Sequence, residues 1–184
     1  MRALLVGVSC VGKTTIGPIL ARRLGCSSFD FDAEVEKHFE TSIERLKARL
    51  FTEHSYRLEC SVVLERIVAT HPDCVIAMPP SGLRDAYLRV LRKFRSLAVV
   101  IEDTPENILE RLTFYDIDSK PIEKQLTVEE KRRYLREIKK EATYFRASYR
   151  RAALRADIAG LDPEAAAQMI QTLLAGHPKA SSSS

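Results

Sequence analysis

The chain has 184 residues, 45% of them hydrophobic and 29% charged, and a net charge of +4 from 29 basic and 25 acidic residues. That length suits one domain, since domains run from about 50 to 250 residues, and the composition supports a packed core. No apolar run reaches the roughly 20 residues that a bilayer-spanning helix needs, so transmembrane, collagen-like and wholly disordered chains are excluded. The pI of about 8.9 lies just below the footprint above ~9 that nucleic-acid binders often carry, and anionic small molecules account for the mild basic excess equally well. Cys10, Cys26, Cys60 and Cys74 form no C-x-x-C pair and no ligand spacing with the four histidines, which points to reduced thiols in a cytoplasmic protein. The opening run is too short for a secretory signal and is broken at once by Gly7.

In chain order, Leu4 to Val6 reads as a buried strand, and Lys13 to Leu24 as a helix closed by Gly25. Pro18 inside that helix removes one backbone bond and is expected to kink it. Ser27 to Phe31 is a second strand that runs into Asp30-Phe31-Asp32. Residues from Ser42 to Thr70 are expected to be helical, with a break near Thr52 to Ser55. Cys74 to Met78 is a third strand, stopped by Pro79 and Pro80, which cannot continue a central ladder. Leu83 to Phe94 is an amphipathic helix and Leu97 to Ile101 a fourth strand. Thr104-Pro105-Glu106 opens the next helix with a cap and a proline at its first position. A polar stretch from Asp116 to Gln125 follows. Thr127-Val128-Glu129-Glu130 is a capping-box signal for a long basic helix that is expected to reach about Arg155. Asp157 to Ala159 is read as an edge strand and Asp162 to Leu174 as a closing helix. A tail over residues 176–184, ending in four serines, is expected to be disordered. Strands alternating with helices imply an α/β fold: a central, mainly parallel five-stranded sheet with helices on both faces.

Gly7-Val8-Ser9-Cys10-Val11-Gly12-Lys13-Thr14 satisfies G-x-x-x-x-G-K-[ST], between a predicted strand and a predicted helix, as the pattern requires. Glycine lets such a loop curl its N–H groups onto phosphate oxygens, and the helix N-terminus adds positive charge there. Gly7, Ser9, Cys10, Val11, Gly12, Lys13, Thr14 and Thr15 are therefore the candidate ATP-binding residues. Lys13 would neutralise the β- and γ-phosphates and the Thr14 hydroxyl would ligate Mg²⁺. A short chain with this loop near its start, and with no guanine-reading or sensor motif, suits a small kinase acting on a metabolite or nucleotide.

From Gly7 through Thr15-Ile16-Gly17 and Leu20-Ala21-Arg22-Arg23-Leu24-Gly25 to Phe29-Asp30-Phe31-Asp32, the sequence resembles the shikimate kinase family, small P-loop kinases related to the nucleoside monophosphate kinases. The resemblance implies that Asp30 helps hold Mg²⁺ through water and that Asp32 holds an acceptor hydroxyl as catalytic base. Two aspartates at a strand end can alternatively cap the following helix. Glu53-His54-Ser55-Tyr56-Arg57 is similar to the family's G-E-x-x-F-R, with Thr52 where glycine is expected, so Arg57 would grip an acceptor carboxylate. Arg146 to Arg151 resembles R-x-P-x-Y, one residue shorter, which implies Arg146 as a second clamp. Lys120-Pro121-Ile122 stands where the family's lid has R-P-L. Lys120 is thus the implied catalytic lid cation, with the lid at about 113–126 and the substrate-binding helices at about 33–60. Arg111 falls near the residue that stacks on adenine.

The departures are equally specific. Where the family has G-G-G after its third strand, this chain reads Met78-Pro79-Pro80-Ser81-Gly82. Two prolines remove two N–H donors and fix φ near −65°. Cys10 stands where the family's phosphate loop has glycine.

Three functions follow: a kinase transferring the ATP γ-phosphate to a hydroxyl of shikimate, a related kinase for another small metabolite or nucleotide, and a nucleotide-binding regulatory protein without catalysis. The expected partners are ATP and a small, acidic hydroxylated metabolite, with Mg²⁺ as cofactor, a monomeric state, and neither nucleic acid nor membrane. The basic stretch from Lys131 to Lys140 is interleaved with Glu129, Glu130, Glu137 and Glu141, as in a solvated helix with i,i+4 pairs.

Overall fold

The computed structural model describes residues 1–112 and 125–177 in full and the backbone of 114–115 and 121–122. In chain order its elements begin β1 (Arg2–Val6), α1 (Lys13–Leu24), β2 (Ser27–Asp30), α2 (Phe31–Phe39), α3 (Ile43–Arg49), α4 (Glu53–Thr70) and β3 (Cys74–Ala77). They continue with α5 (Asp85–Lys93), β4 (Leu97–Glu102), α6 (Pro105–Glu110), β5 (Phe114–Tyr115) and β6 (Pro121–Ile122). The last are α7 (Val128–Tyr149), β7 (Leu154–Asp157) and α8 (Pro163–Gly176).

Five strands form a sheet in the order β2-β3-β1-β4-β7, and every pair in it is parallel. β5 and β6 make a separate antiparallel ribbon. The central strands β1, β3 and β4 are almost continuously apolar and buried, as parallel strands covered on both faces must be. Chain direction from β1 outward to β2, then back through β3 to β4 and β7, sets the helices through right-handed crossovers. α1 lies against β1, β2 and β3 with α8 packed on it, while α4 packs on α5 and α6 on α7. Among the described residues no helix is long and apolar enough to cross a membrane.

Several boundaries differ from the sequence expectation, for identifiable reasons. α1 continues past Pro18, which is exposed, so water can serve the carbonyl that the proline leaves unbonded. The stretch after Asp30 is a helix at once, because Asp30 accepts a hydrogen bond from Ala33 N–H and caps it. The expected break falls between α3 and α4, where Thr52 caps α4 through Ser55 N–H. The long basic helix stops at Tyr149, not Arg155, and Leu154 to Asp157 is strand. Pairing of Leu154 with Val99 and Asp157 with Glu102 overrides the helix preference of that Arg- and Ala-rich run.

Parallel register carries the functional consequence. Asp30 lies beside Ala77, and Ala77 beside Leu5. The carboxyl ends of β1, β2 and β3 thus finish level, so the residues after Val6, Asp30 and Ala77 meet in one crevice beside the strand where the chain reverses direction across the sheet.

Candidate active site

The loop after β1 has the curl that a phosphate cradle needs. Gly7 has φ 153, and a Cβ there would sit 2.6 Å from the Ile101 carbonyl oxygen, so only glycine fits. Gly12 has φ 105 and leads directly into α1. Cys10 adopts φ 60, left-handed backbone that an L residue enters at a cost, at the position where the resemblance expects glycine. Lys13 is the first residue of α1 and is buried. Its Nζ donates to the carbonyls of Gly7 at 3.0 Å and Val8 at 2.8 Å. Burial lowers its pKa to about 8, against the pull of Glu141, Cys10, Asp32 and Asp30, which favour the charged form.

Two cavities flank this loop. One, of about 470 Å³, runs from Cys10 to Thr15 on one side to Arg111, Ile158 and Leu161 on the other. Arg111 is held there by an ion pair with Asp103, whose side chain is fully buried. The second cavity, about 440 Å³, is lined by Ser9, Asp32, Arg57, Pro80, Arg84 and Glu141, among others. The loop borders both, giving Cys10 to Thr15 to the first and Ser9 to the second.

At the junction, Thr14 Oγ1 donates to Asp30 Oδ2 at 2.8 Å. A hydroxyl and a carboxylate beside a phosphate cradle are hard oxygen donors of the kind Mg²⁺ takes. Asp30 also caps α2 through Ala33 N–H, so one carboxylate oxygen serves the cap and the other meets Thr14. Asp32, the second residue of α2, has its pKa raised by burial and by Asp30, with Lys47 and Lys13 opposing. A carboxylate held poised in this way can accept a proton from an acceptor hydroxyl.

The sequence matches the family model for shikimate kinase over residues 9–174. The chain belongs to the shikimate kinase family. It is 33% identical to a shikimate kinase of Salinibacter ruber over 61% of this chain, a match that spans about half (54%) of that relative's length. Among solved structures, the shikimate kinase of Aquifex aeolicus superposes with a TM-score of 0.70 at 27% identity, covering 96% of this chain and 97% of that one. Shikimate kinase from Acinetobacter baumannii, solved in complex with shikimate, gives a TM-score of 0.69 at 26% identity over 97% of this chain and 95% of that one.

Within this shikimate kinase fold, the residues expected to bind nucleotide come together: Gly7 to Thr15 form the loop, and Arg111 faces it across the first cavity. Asp32 and Arg57 share the second cavity. Arg57, however, is already paired. Its Nε and Nη2 meet Asp85 Oδ2 at 2.8 and 2.7 Å, and Nη1 meets Glu53 at 3.4 Å. These hydrogen bonds hold the Asp85 carboxyl below its usual range. Arg146 is not brought to this cavity. It lines a different one, of about 720 Å³, with Asp103, Lys139, Arg150 and Arg155. The missing residue in its R-x-P-x-Y segment explains why: four positions before Tyr149 stands Phe145, which does face the acceptor cavity, and Arg146 is rotated about 100° round the helix from it. Lys120 and most of the expected lid lie outside the described residues, as do residues 178–184.

The turn that replaces the glycine run closes with Gly82 N–H donating to the Pro79 carbonyl at 2.8 Å. Gly82 packs so tightly on β1 that a Cβ would lie 2.8 Å from Val6 Cγ1. Pro79, Pro80 and Ser81 thereby become cavity wall. Three charged lining residues, Lys47, Arg84 and Glu141, were absent from the sequence expectation. Lys47 and Arg84 carry no motif, and Glu141 is hidden among the charges of a basic helix. Glu141 accepts from Ser9 N–H at 3.0 Å and from Ser9 Oγ at 2.8 Å, tying α7 to the phosphate loop. Its spacing to Tyr144 and Phe145, i+3 and i+4, was the available signal that all three share one helix face.

Proposed function

We propose that this protein transfers the γ-phosphoryl group of ATP to a hydroxyl of shikimate. The observation that carries the reading is a phosphate loop with Asp32 on its acceptor side, in a chain of this family. Lys13 leaves the Gly7 and Val8 carbonyls to neutralise the β- and γ-phosphates, and loop N–H groups fix the phosphate oxygens. Thr14 and Asp30 would hold Mg²⁺, which when bound neutralises charge on the β- and γ-oxygens. Asp32 orients the acceptor hydroxyl and takes its proton as the oxygen attacks phosphorus in line. Arg111 guides the adenine end, and Lys120 adds a cation over the transferring group. A monomer in the cytoplasm is the setting this reading expects.

ADP release with Mg–ATP and shikimate, run beside a panel of hydroxy acids, sugar acids and nucleoside monophosphates, tests it. Shikimate-dependent turnover is the expected result, and turnover confined to another panel member replaces shikimate as the acceptor. That second reading, a related kinase with a different acceptor, is favoured by one observation: Pro79 and Pro80 line the cavity where backbone donors would be needed. ATP binding without turnover on any of them would favour a regulatory role.

A further inference from the structure

The cations of the acceptor cavity are Lys47, Arg57 and Arg84, and its carboxylates are Asp32, Glu53 and Glu141. Arg57 is spent on Asp85 and Glu53, and Glu141 on Ser9. Lys47 is exposed on a flexible stem, its ammonium 5.2 Å from the Tyr56 ring, and its charge acts on Asp32.

Arg84 is different. Its guanidinium is fixed at three points, by Nε donating to Ser148 Oγ at 3.0 Å, Nη1 to Tyr144 Oη at 2.8 Å and Nη2 to the Tyr144 carbonyl at 3.3 Å. It lies over the rings of Tyr144 at 4.3 Å and Phe145 at 4.8 Å. All of these partners are neutral, and no carboxylate among the described residues pairs with it. A guanidinium has five N–H groups, so two remain free on a rigid, half-buried fork that carries its full charge. Rigidity of that kind removes most of the entropy cost of engaging an anion.

We propose that Arg84 recognises the anionic group of the acceptor, in place of Arg57 and Arg146. The assignment rests on the phosphotransfer reading above and names the specificity residue of the same site. Arg84 is placed to act because Phe145 offers it a flat apolar seat, and because Ser148 and Tyr144 lock the fork without neutralising it. An acceptor carboxylate would complete the ion pair that the fold leaves open.

The test titrates shikimate and its methyl ester into the wild-type protein and the Arg84→Gln variant by calorimetry, with turnover of shikimate by Mg–ATP followed in parallel. Wild type is expected to bind the acid at least about tenfold more tightly than the ester, and Arg84→Gln to erase that preference by weakening the acid about tenfold to a hundredfold. Ester affinity should stay within about threefold, and Arg84→Lys should restore part of the preference because it keeps the charge. The proposal is overturned if the variant keeps its preference for the acid, if it weakens acid and ester equally, or if wild type shows no preference or binds neither. The turnover arm judges the phosphotransfer reading by itself: acid bound through Arg84 but never phosphorylated removes shikimate as substrate and leaves Arg84 as the anion clamp.

Discussion

On the nucleotide side of the phosphate loop, the phosphate cradle itself comes from one unbroken run, Gly7 to Thr15, with Arg111 and Leu161 closing the cavity opposite it. The acceptor side draws Ser9, Asp32, Arg57, Pro80, Arg84 and Glu141 from separate segments that only the fold assembles. The first side keeps its pattern closely, with only Cys10 standing where glycine is expected. The second has Pro79 and Pro80 where the resemblance expects glycines, one arginine paired internally and another resting on neutral partners. A cradle made by consecutive backbone atoms cannot lose one member without losing its shape. A wall made of side chains from several elements can be rebuilt piece by piece, provided that volume and charge still balance.

Breaking the nucleotide side should have the largest effect. Lys13→Ala removes the cation proposed to neutralise the phosphates, and kcat/KM for ATP should fall about a thousandfold in a steady-state assay; undiminished activity would end the phosphate-loop reading. Asp32→Asn acts at the seam between the two sides. It should lower kcat by about a hundredfold or more while ATP affinity, measured by calorimetry, changes little. An equal loss in both would place Asp32 with the nucleotide instead.

A pH–rate profile sharpens the contrast more gently. In the free protein Lys13 titrates at about 8, so kcat/KM for ATP should decline as pH rises through that value and the ammonium loses its proton. kcat should hold to higher pH, because a bound triphosphate favours the charged lysine. On the acid side, Asp32 must be ionised to take a proton, and its raised pKa should set the acid limb above the ordinary aspartate range. The smallest effect is structural. Gly82→Ala pushes a Cβ against Met78 and Val6 and should cost about 1–3 kcal/mol, read as a lower Tm with the nucleotide affinity nearly intact.

The positions of the central strands and the loop were legible because hydrophobic periodicity and a contiguous motif are local, whereas the strand order came only from the fold. Leu4 to Val6, Cys74 to Ala77 and Leu97 to Ile101 announce buried parallel strands by composition alone. The end of α7 was not legible, since residues 150–157 favour helix locally and only pairing with β4 turns Leu154 to Asp157 into strand. Arg57 was found from its motif, but its pairing with Asp85 depends on where α5 begins against α4. Arg146 was misplaced because a one-residue deletion turns a helix face by about 100°, which no alignment of letters registers as a change of direction.

By itself the sequence determined that a strand, a glycine-bounded curl and a helix would make a phosphate cradle, because backbone conformation follows from neighbouring residues within a turn. Only the tertiary structure decided which charges in the acceptor cavity are already satisfied. Arg57 and Arg84 are the same residue type, both carried beside the same cavity. What separates them is the carboxylates of Asp85 and Glu53 around one and the neutral seat of Tyr144, Phe145 and Ser148 around the other, since the strength of a charge depends on what lies within a few ångströms of it in space.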